Sequence, residues 1–181
     1  MPFSDPKTIV KHFQLCEGMT VADFGTGSGA YALALARAVG RGGRVYAIDI
    51  QKELLTRLIR EAEELGLRNI VEIIWSNLEE ANGTKLADAT IDFIVIANLL
   101  FQTSAKYTLI REARRILKTG GRIALIDWSG SFGGLGPRPE EVLSPEEAKR
   151  IFLEAGFTFA KDFPAGDHHY GMIFKATPSK P

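Results

Sequence analysis

Asp23, Gly25, Gly27, Gly29 and Asp49 are the residues of this chain whose types and spacing carry chemistry. The stretch Asp23-Phe24-Gly25-Thr26-Gly27-Ser28-Gly29-Ala30-Tyr31 sets an acid at the end of an apolar run, then alternating glycines, then the start of a helix. Such a turn lets a ligand approach bare backbone N–H groups at a helix N-terminus, where negative charge is favoured. Dinucleotides and S-adenosylmethionine both use this layout.

Gly25 to Ala30 satisfies the looser G-x-G-x-x-G/A pattern, and Asp49 follows at about the distance needed to hold ribose hydroxyls. That match alone permits either cofactor. Asp23 separates them. A carboxylate two residues before the first glycine would repel a dinucleotide's pyrophosphate, at a cost of about a few kcal/mol. The ammonium of S-adenosylmethionine is a group it would help hold.

The elements that must position these residues follow from periodicity. Apolar runs predict strands at Met19–Phe24, Arg44–Asp49, Ile70–Trp75, Ile91–Ala97 and Arg122–Asp127, and helices at Tyr31–Val39, Glu53–Leu65 and Ser104–Leu117 fall between them. Ion pairs Glu53–Arg57, Arg57–Glu61 and Arg60–Glu64 are expected along the wet face of the second. Alternating strands and helices mean right-handed crossovers and a parallel sheet with helices on both faces. Ser144-Pro145-Glu146-Glu147 is a capping box opening a helix to Ala155. Phe157–Phe163 and His169–Ala176 leave no room for a helix between them, so they form a hairpin with one antiparallel strand. Residues 4–14 read as a short amphipathic helix capped by Asp5, which either covers the site or packs on the sheet edge.

The totals set limits. The 181 residues fit one domain, 1–181, with 1–18 as N-terminal helix and lead-in; 45% apolar and 24% charged residues are ordinary for a globular protein. Twenty-two basic residues balance 22 acidic ones without a basic block, which argues against a nucleic-acid partner. Cys16 is the only cysteine, which excludes internal disulfides and Cys-cluster metal sites. The opening Met-Pro-Phe-Ser-Asp-Pro lacks the basic-to-apolar pattern of a signal peptide, and no apolar run reaches membrane-spanning length; a cytoplasmic setting is the expectation. Oligomeric state is not legible.

Asp23–Gly29, the acid Asp49 and the terminal hairpin together resemble the class I S-adenosylmethionine-dependent methyltransferases. Leu15–Tyr31 and Lys118–Arg122 look closest to the small-molecule branch around the quinone C-methyltransferases. The resemblance implies a Rossmann-like, seven-stranded, mostly parallel sheet in the order 3-2-1-4-5-7-6 with strand 7 antiparallel. It also implies site roles. Gly25, Gly27 and Gly29, with Phe24, Thr26 and Tyr31 around them, pass under the methionine and ribose parts of the cofactor. Asp49 takes the ribose hydroxyls and Ile50 packs on adenine. Asn77 stands where the family usually has an acid for the adenine amine, beside Leu78. Ala97 and Asn98 border the methionine end.

Methyl transfer is an in-line displacement whose leaving group departs neutral, so alignment supplies much of the catalysis and no triad is required. A small organic or lipid-like acceptor is the expectation. Asn98-Leu99-Leu100-Phe101-Gln102 lacks the Pro-Pro of base-amine methylation, one cysteine cannot supply the thiolates of arsenic methylation, and no carboxylate metal cluster assembles. The 128–142 loop, with Trp128, is the candidate substrate element, and Phe101 the second substrate candidate. Asp127 reads as a base or as a cap for backbone N–H groups. Strand alternation sends His169 and Tyr170 to opposite faces, so one of them at most reaches the site; His169 also reads as a surface residue at a strand end. Trp75 and the phenylalanines of the tail read as core. A cofactor-binding module that needs a partner subunit, and an NAD-dependent reductase, are the alternatives.

Overall fold

In the computed structural model, which describes residues 5–178, the central strand is β1 (Thr20–Phe24), fully buried over its last four residues. It pairs in parallel with β2 (Arg44–Asp49) on one side and β4 (Ile91–Ala97) on the other. With β3 (Val71–Trp75), β5 (Leu117–Trp128), β6 (Phe157–Pro164) and β7 (His169–Ala176), the sheet has the order β3-β2-β1-β4-β5-β7-β6. β7 runs antiparallel to both β5 and β6. This is the seven-stranded order that the resemblance implied. Because β1 sends one crossover to β2 and receives its other neighbour, β4, from later in the chain, the strand order reverses at β1. A crevice opens there beyond the strand C-termini.

Each face of the sheet buries its own apolar cluster. α2 (Ala30–Val39) and α3 (Lys52–Glu64) cover one, with Leu35 and Leu58 fully buried. α4 (Lys106–Ile116) and α5 (Pro145–Glu154) cover the other, with Ile110 and Phe152 fully buried. Each such side chain contributes about 1.5–3 kcal/mol. The ion pairs expected along the wet face of α3 do not close among the described residues. α1 (Pro6–Ile9) and a 3-10 turn (Val10–Phe13) follow the Asp5 cap, whose carboxylate accepts the Lys7 N–H at 3.2 Å. Ile9, Val10 and Phe13 are buried against the first cluster. Position 4 of the expected helix, and the opening Met-Pro-Phe-Ser, lie outside the described residues.

Two local expectations need correction. β5 begins at Leu117 rather than Arg122, because Leu117 already pairs with Ile91 and a register shift absorbs the Gly120-Gly121 pair. Trp75 is not core. β3 is an edge strand, and Trp75 is 53% exposed, held by its Nε1–H to the Ile50 carbonyl at 2.9 Å and by Lys52 over its ring. Phe157, Phe163 and Phe174 of the tail are buried as expected.

Candidate functional site

The glycine turn divides the crevice into two lobes, and Gly25 and Gly27 line both. Their positive φ values, +66° and +52°, are ones that L side chains rarely adopt. Gly25 N–H and Thr26 N–H both donate to the Ile48 carbonyl, folding the turn back over β2. Gly29 does not line either lobe. At φ +84° it starts α2, and a Cβ there would lie 2.4 Å from Leu58 Cδ1, so its role is packing against α3. Gly27 has only the Gly25 carbonyl oxygen, at 3.8 Å, near the place of a Cβ; it borders open space. Phe24, counted among the cofactor contacts on resemblance, is fully buried in the second apolar cluster and lines neither lobe.

The smaller lobe, about 260 Å³, lies toward β2 and β3. Asp49 is nearly buried in its wall. One carboxylate oxygen accepts Gly27 N–H at 2.8 Å and the other Gln51 N–H at 2.9 Å. A carboxylate has about four lone-pair sites, so two stay open for a pair of hydroxyls while the backbone fixes the group's orientation. Ile50, 59% exposed, offers a flat apolar surface at the rim. Asn77 and Leu78 form the far wall. The Asn77 amide oxygen expected to meet an adenine amine already accepts Glu79 N–H at 3.0 Å, and its Nδ2 donates to Glu80 at 3.2 Å. Gly83 is forced here: a Cβ would fall 2.2 Å from the Asn77 carbonyl oxygen, and that close approach folds the loop after β3. Ser76 donates to the Gly83 carbonyl in the same turn. Gln51, Ser76, Glu79, Leu99, Gln102 and Thr103 also line this lobe and were not foreseen. Their only sequence signal is adjacency to the ends of β2, β3 and β4.

The larger lobe, about 430 Å³, lies toward β4, β5 and β7 and includes Asp23, Tyr31, Ala97, Asn98, Trp128 and His169. Asp23 is 2% exposed and accepts the Thr26 hydroxyl at 2.6 Å. Burial raises its pKa to about 6 against the pull of that hydrogen bond, and Asp49 adds to the rise. A buried carboxylate beside a second one suits a cationic ligand. Asn98 holds φ +53°, which Asn tolerates better than most residues, and its Oδ1 is shut from solvent with no hydrogen-bond partner. His169 Nε2 is in the same condition. Gln102 borders both lobes and clamps the segment after β4 by donating to the Asn98 carbonyl at 2.9 Å.

Three candidates stand elsewhere. Asp127 is fully buried, and its carboxylate accepts Phe101 N–H at 3.2 Å and Trp128 N–H at 2.9 Å. It therefore acts as the backbone cap, although burial lifts its pKa to about 6. That bond holds the Phe101 backbone, and Phe101 lines neither lobe; Gln102 occupies the wall instead. Tyr170 pairs with Asp127 across the strands, on the face opposite His169, and its hydroxyl donates to the Leu143 carbonyl at 3.0 Å. Burial pushes its pKa up. From the 128–142 loop only Trp128 lines the lobe. Gly136 of that loop sits against its ring, where a Cβ would fall 2.5 Å from Cε3. From the N-terminal segment Pro6 reaches the lobe, so α1 both packs on the core and edges the site.

The site fits S-adenosylmethionine on its own geometry. A carboxylate held by two backbone N–H groups stands on one side of the bare turn, and a buried acid and an orphan acceptor stand on the other, groups whose chemistry matches its hydroxyls and its ammonium. Comparisons agree. A family profile described as "Methyltransferase domain" matches residues 15–155. A solved structure described as a SAM dependent methyltransferase from Aquifex aeolicus is 35% identical, with a TM-score of 0.86, covering 97% of this chain and 91% of that one. An arsenite methyltransferase of Aquipseudomonas alcaligenes is 34% identical over 117 residues, 62% of this chain and 34% of the relative. The ubiquinone/menaquinone biosynthesis C-methyltransferase UbiE of Klebsiella pneumoniae is 32% identical over 112 residues, 62% of this chain and 43% of the relative. The chain thus spans under half the length of these two curated relatives. A profile over most of the chain and a structural relative matched over nearly its whole length place this protein in the class I S-adenosylmethionine-dependent methyltransferase family.

Proposed function

We propose that the protein transfers a methyl group from S-adenosylmethionine to a small organic or lipid-like acceptor, with residues 1–181 working as one catalytic domain. The observation that carries this is the split crevice: a carboxylate anchored by two backbone N–H groups, Asp49, on one side of the glycine turn and a buried carboxylate, Asp23, on the other. When bound, the cofactor supplies an electrophilic methyl whose sulfur leaves as a neutral thioether. Asp49 would orient the ribose, Ile50 and Leu78 would enclose the adenine, and Asp23 with Asn98 Oδ1 would hold the ammonium, while Trp128 and His169 line the part of the larger lobe left to the acceptor. Alignment of this kind is worth about 7–11 kcal/mol when the reacting atoms are held in near-attack geometry.

The curated relatives named above are described as an arsenite methyltransferase and as a C-methyltransferase of ubiquinone/menaquinone biosynthesis. Cys16, the single cysteine, is exposed and lines neither lobe, which weighs against arsenite here. A reduced, cytoplasmic setting belongs to the same proposal; the free Cys16 thiol is compatible with it. Among the described residues no helix is long and apolar enough to cross a membrane. The reductase alternative founders on Asp23, whose charge opposes a pyrophosphate.

Thermal shift tests the cofactor: S-adenosylmethionine and S-adenosylhomocysteine should raise the melting temperature, and Asp49→Ala should abolish the rise. Stabilisation by NAD and not by the adenosyl ligands would overturn the reading. Labelled-methyl transfer to metabolite and lipid extracts then identifies the acceptor.

A further inference from the structure

His169 stands where β7 passes the end of β5, outside everything the cofactor needs. It pairs with Trp128 across the strands, so the two side chains share a face, their rings 4.3 Å apart and tilted by 39°. His169 is 8% exposed, yet it forms part of the wall of the larger lobe and its Nε2 has no partner. Leaving a buried polar atom unsatisfied is costly, so an orphan nitrogen in the wall of a cavity marks a place where a ligand supplies the missing group. The other orphan, Asn98 Oδ1, suits the cofactor's ammonium. Two other titratable groups on the paired strands are already engaged, Asp127 by two backbone N–H groups and Tyr170 by the Leu143 carbonyl.

We propose that His169 Nε2 accepts a hydrogen bond, and during turnover the proton, from an ionisable O–H of the methyl acceptor, carried on or conjugated with the atom that receives the methyl group. The proposal rests on the methyl-transfer reading above. The acceptor's head is planar, an aromatic or enolic hydroxyl, which suits a lobe wall where the Trp128 ring packs beside the imidazole. The lobe of about 430 Å³ must also take the amino-acid arm of the cofactor, so only the reactive head enters. Burial and the neighbouring His168 hold the imidazole's pKa below its usual value, which keeps it neutral and able to accept. Of the nearby acids, Asp23 lies across the lobe at the end of β1, and Asp127 belongs to the opposite face of the paired strand.

The step balances. The O–H proton passes to Nε2, and its bonding pair stays on the acceptor. The acceptor's oxygen, or the carbon conjugated with it, bonds to the methyl carbon as the carbon–sulfur bond breaks with its pair retained by sulfur. The imidazolium then returns the proton to water.

The test uses the full chain saturated with S-adenosylhomocysteine, binding of which is measured first. The probes are 2-naphthol and 4-nitrophenol, each beside its methyl ether. In the wild type the hydroxyl probes should bind at least about tenfold tighter than the ethers. In His169→Phe, which keeps a ring against Trp128, the preference should fall below about twofold, and in His169→Gln part of it should persist. A second measurement needs no variant. In protein labelled with 15N at its 3 histidines, the Nε2 resonance of His169 should move with the hydroxyl probes and stay put with the ethers. Equal binding of hydroxyl and ether, binding of neither, a preference undiminished in His169→Phe, or an unmoved resonance overturns the proposal. If S-adenosylhomocysteine itself fails to bind, the methyl-transfer reading falls first and takes this one with it. Normal binding of that ligand without a hydroxyl preference removes this proposal alone.

Discussion

The two lobes on either side of the glycine turn are built on opposite terms. In the smaller lobe the polar groups are anchored before any ligand arrives: Asp49 by two backbone N–H groups, Asn77 by Glu79 and Glu80, Ser76 by the Gly83 carbonyl. In the larger lobe two buried acceptors have no partner and a buried acid sits with its pKa near 6. One region is a finished frame that reads shape and a pair of hydroxyls. The other keeps polarity in reserve at a cost to the folded state. Enclosure by satisfied backbone gives rigidity, and unsatisfied burial gives a driving force for ligand entry.

The largest expected effect tests the finished frame. Asp49→Ala should weaken S-adenosylhomocysteine about 100-fold and also lower the unfolding free energy by about 2–3 kcal/mol, since Gly27 N–H and Gln51 N–H lose their acceptor. Calorimetry and urea denaturation measure the two. An unchanged stability would break the contrast, because it would mean the frame did not depend on that carboxylate.

The reserve side should respond to pH. Ordinary Asp titrates near 4 and folded Asp23 near 6, so a bound cation, which favours the carboxylate, pulls protons off. Affinity for S-adenosylmethionine should therefore rise about tenfold from pH 5 to 7 and level off above, and Asp23→Asn should flatten the profile. The sign for the free protein is the reverse. Asp23 and Asp127 hold protons in the folded state that the unfolded chain releases between pH 4 and 6, so stability falls as pH rises through that window and stays reduced above it. A flat stability profile over that range would put both carboxylates in wetter surroundings than the structure shows.

A smaller change is expected at Asn98. Asn98→Gly keeps the left-handed backbone and removes the orphan oxygen, so S-adenosylmethionine should weaken about fivefold while the unliganded protein keeps its stability to within about 1 kcal/mol. A large loss of stability would show the oxygen to be part of the frame after all. The smallest effect belongs to Tyr170→Phe. Loss of the bond to Leu143 should cost about 1 kcal/mol in denaturation and leave ligand binding untouched, because Tyr170 faces away from both lobes.

Which features the sequence made legible follows the same division. Strand and helix periods, the glycine turn, the Ser144 cap and the terminal hairpin are local patterns, and apart from the start of β5 each stands within about two residues of where the pattern put it. Asp49 was legible because it closes a strand beside that turn. The misreadings depend on what lies across the sheet. Trp75 looked like core because its strand is apolar, and only the strand order makes β3 an edge. His169 read more readily as a surface residue at a strand end, and its pairing with Trp128 buries it instead. Phe101 promised an aromatic wall, but Asp127 of another strand holds its backbone and Gln102 lines the lobe. Asn77 does line the lobe, and the turn after it engages one of the two acceptor sites of its amide oxygen.

The antiparallel insertion of β7 between β5 and β6 has a consequence for how the protein is made. The ribose frame is assembled from strands in the first half of the chain, whereas the acceptor wall waits for a strand near its end. On the ribosome the nucleoside half can fold while the lobe for chemistry still lacks His169, and β5 presents an unpaired edge until the hairpin arrives. Docking that last strand therefore completes the larger lobe: a copy that ends before it has Asp49 and the glycine turn, but neither His169 nor a partner for the far edge of β5.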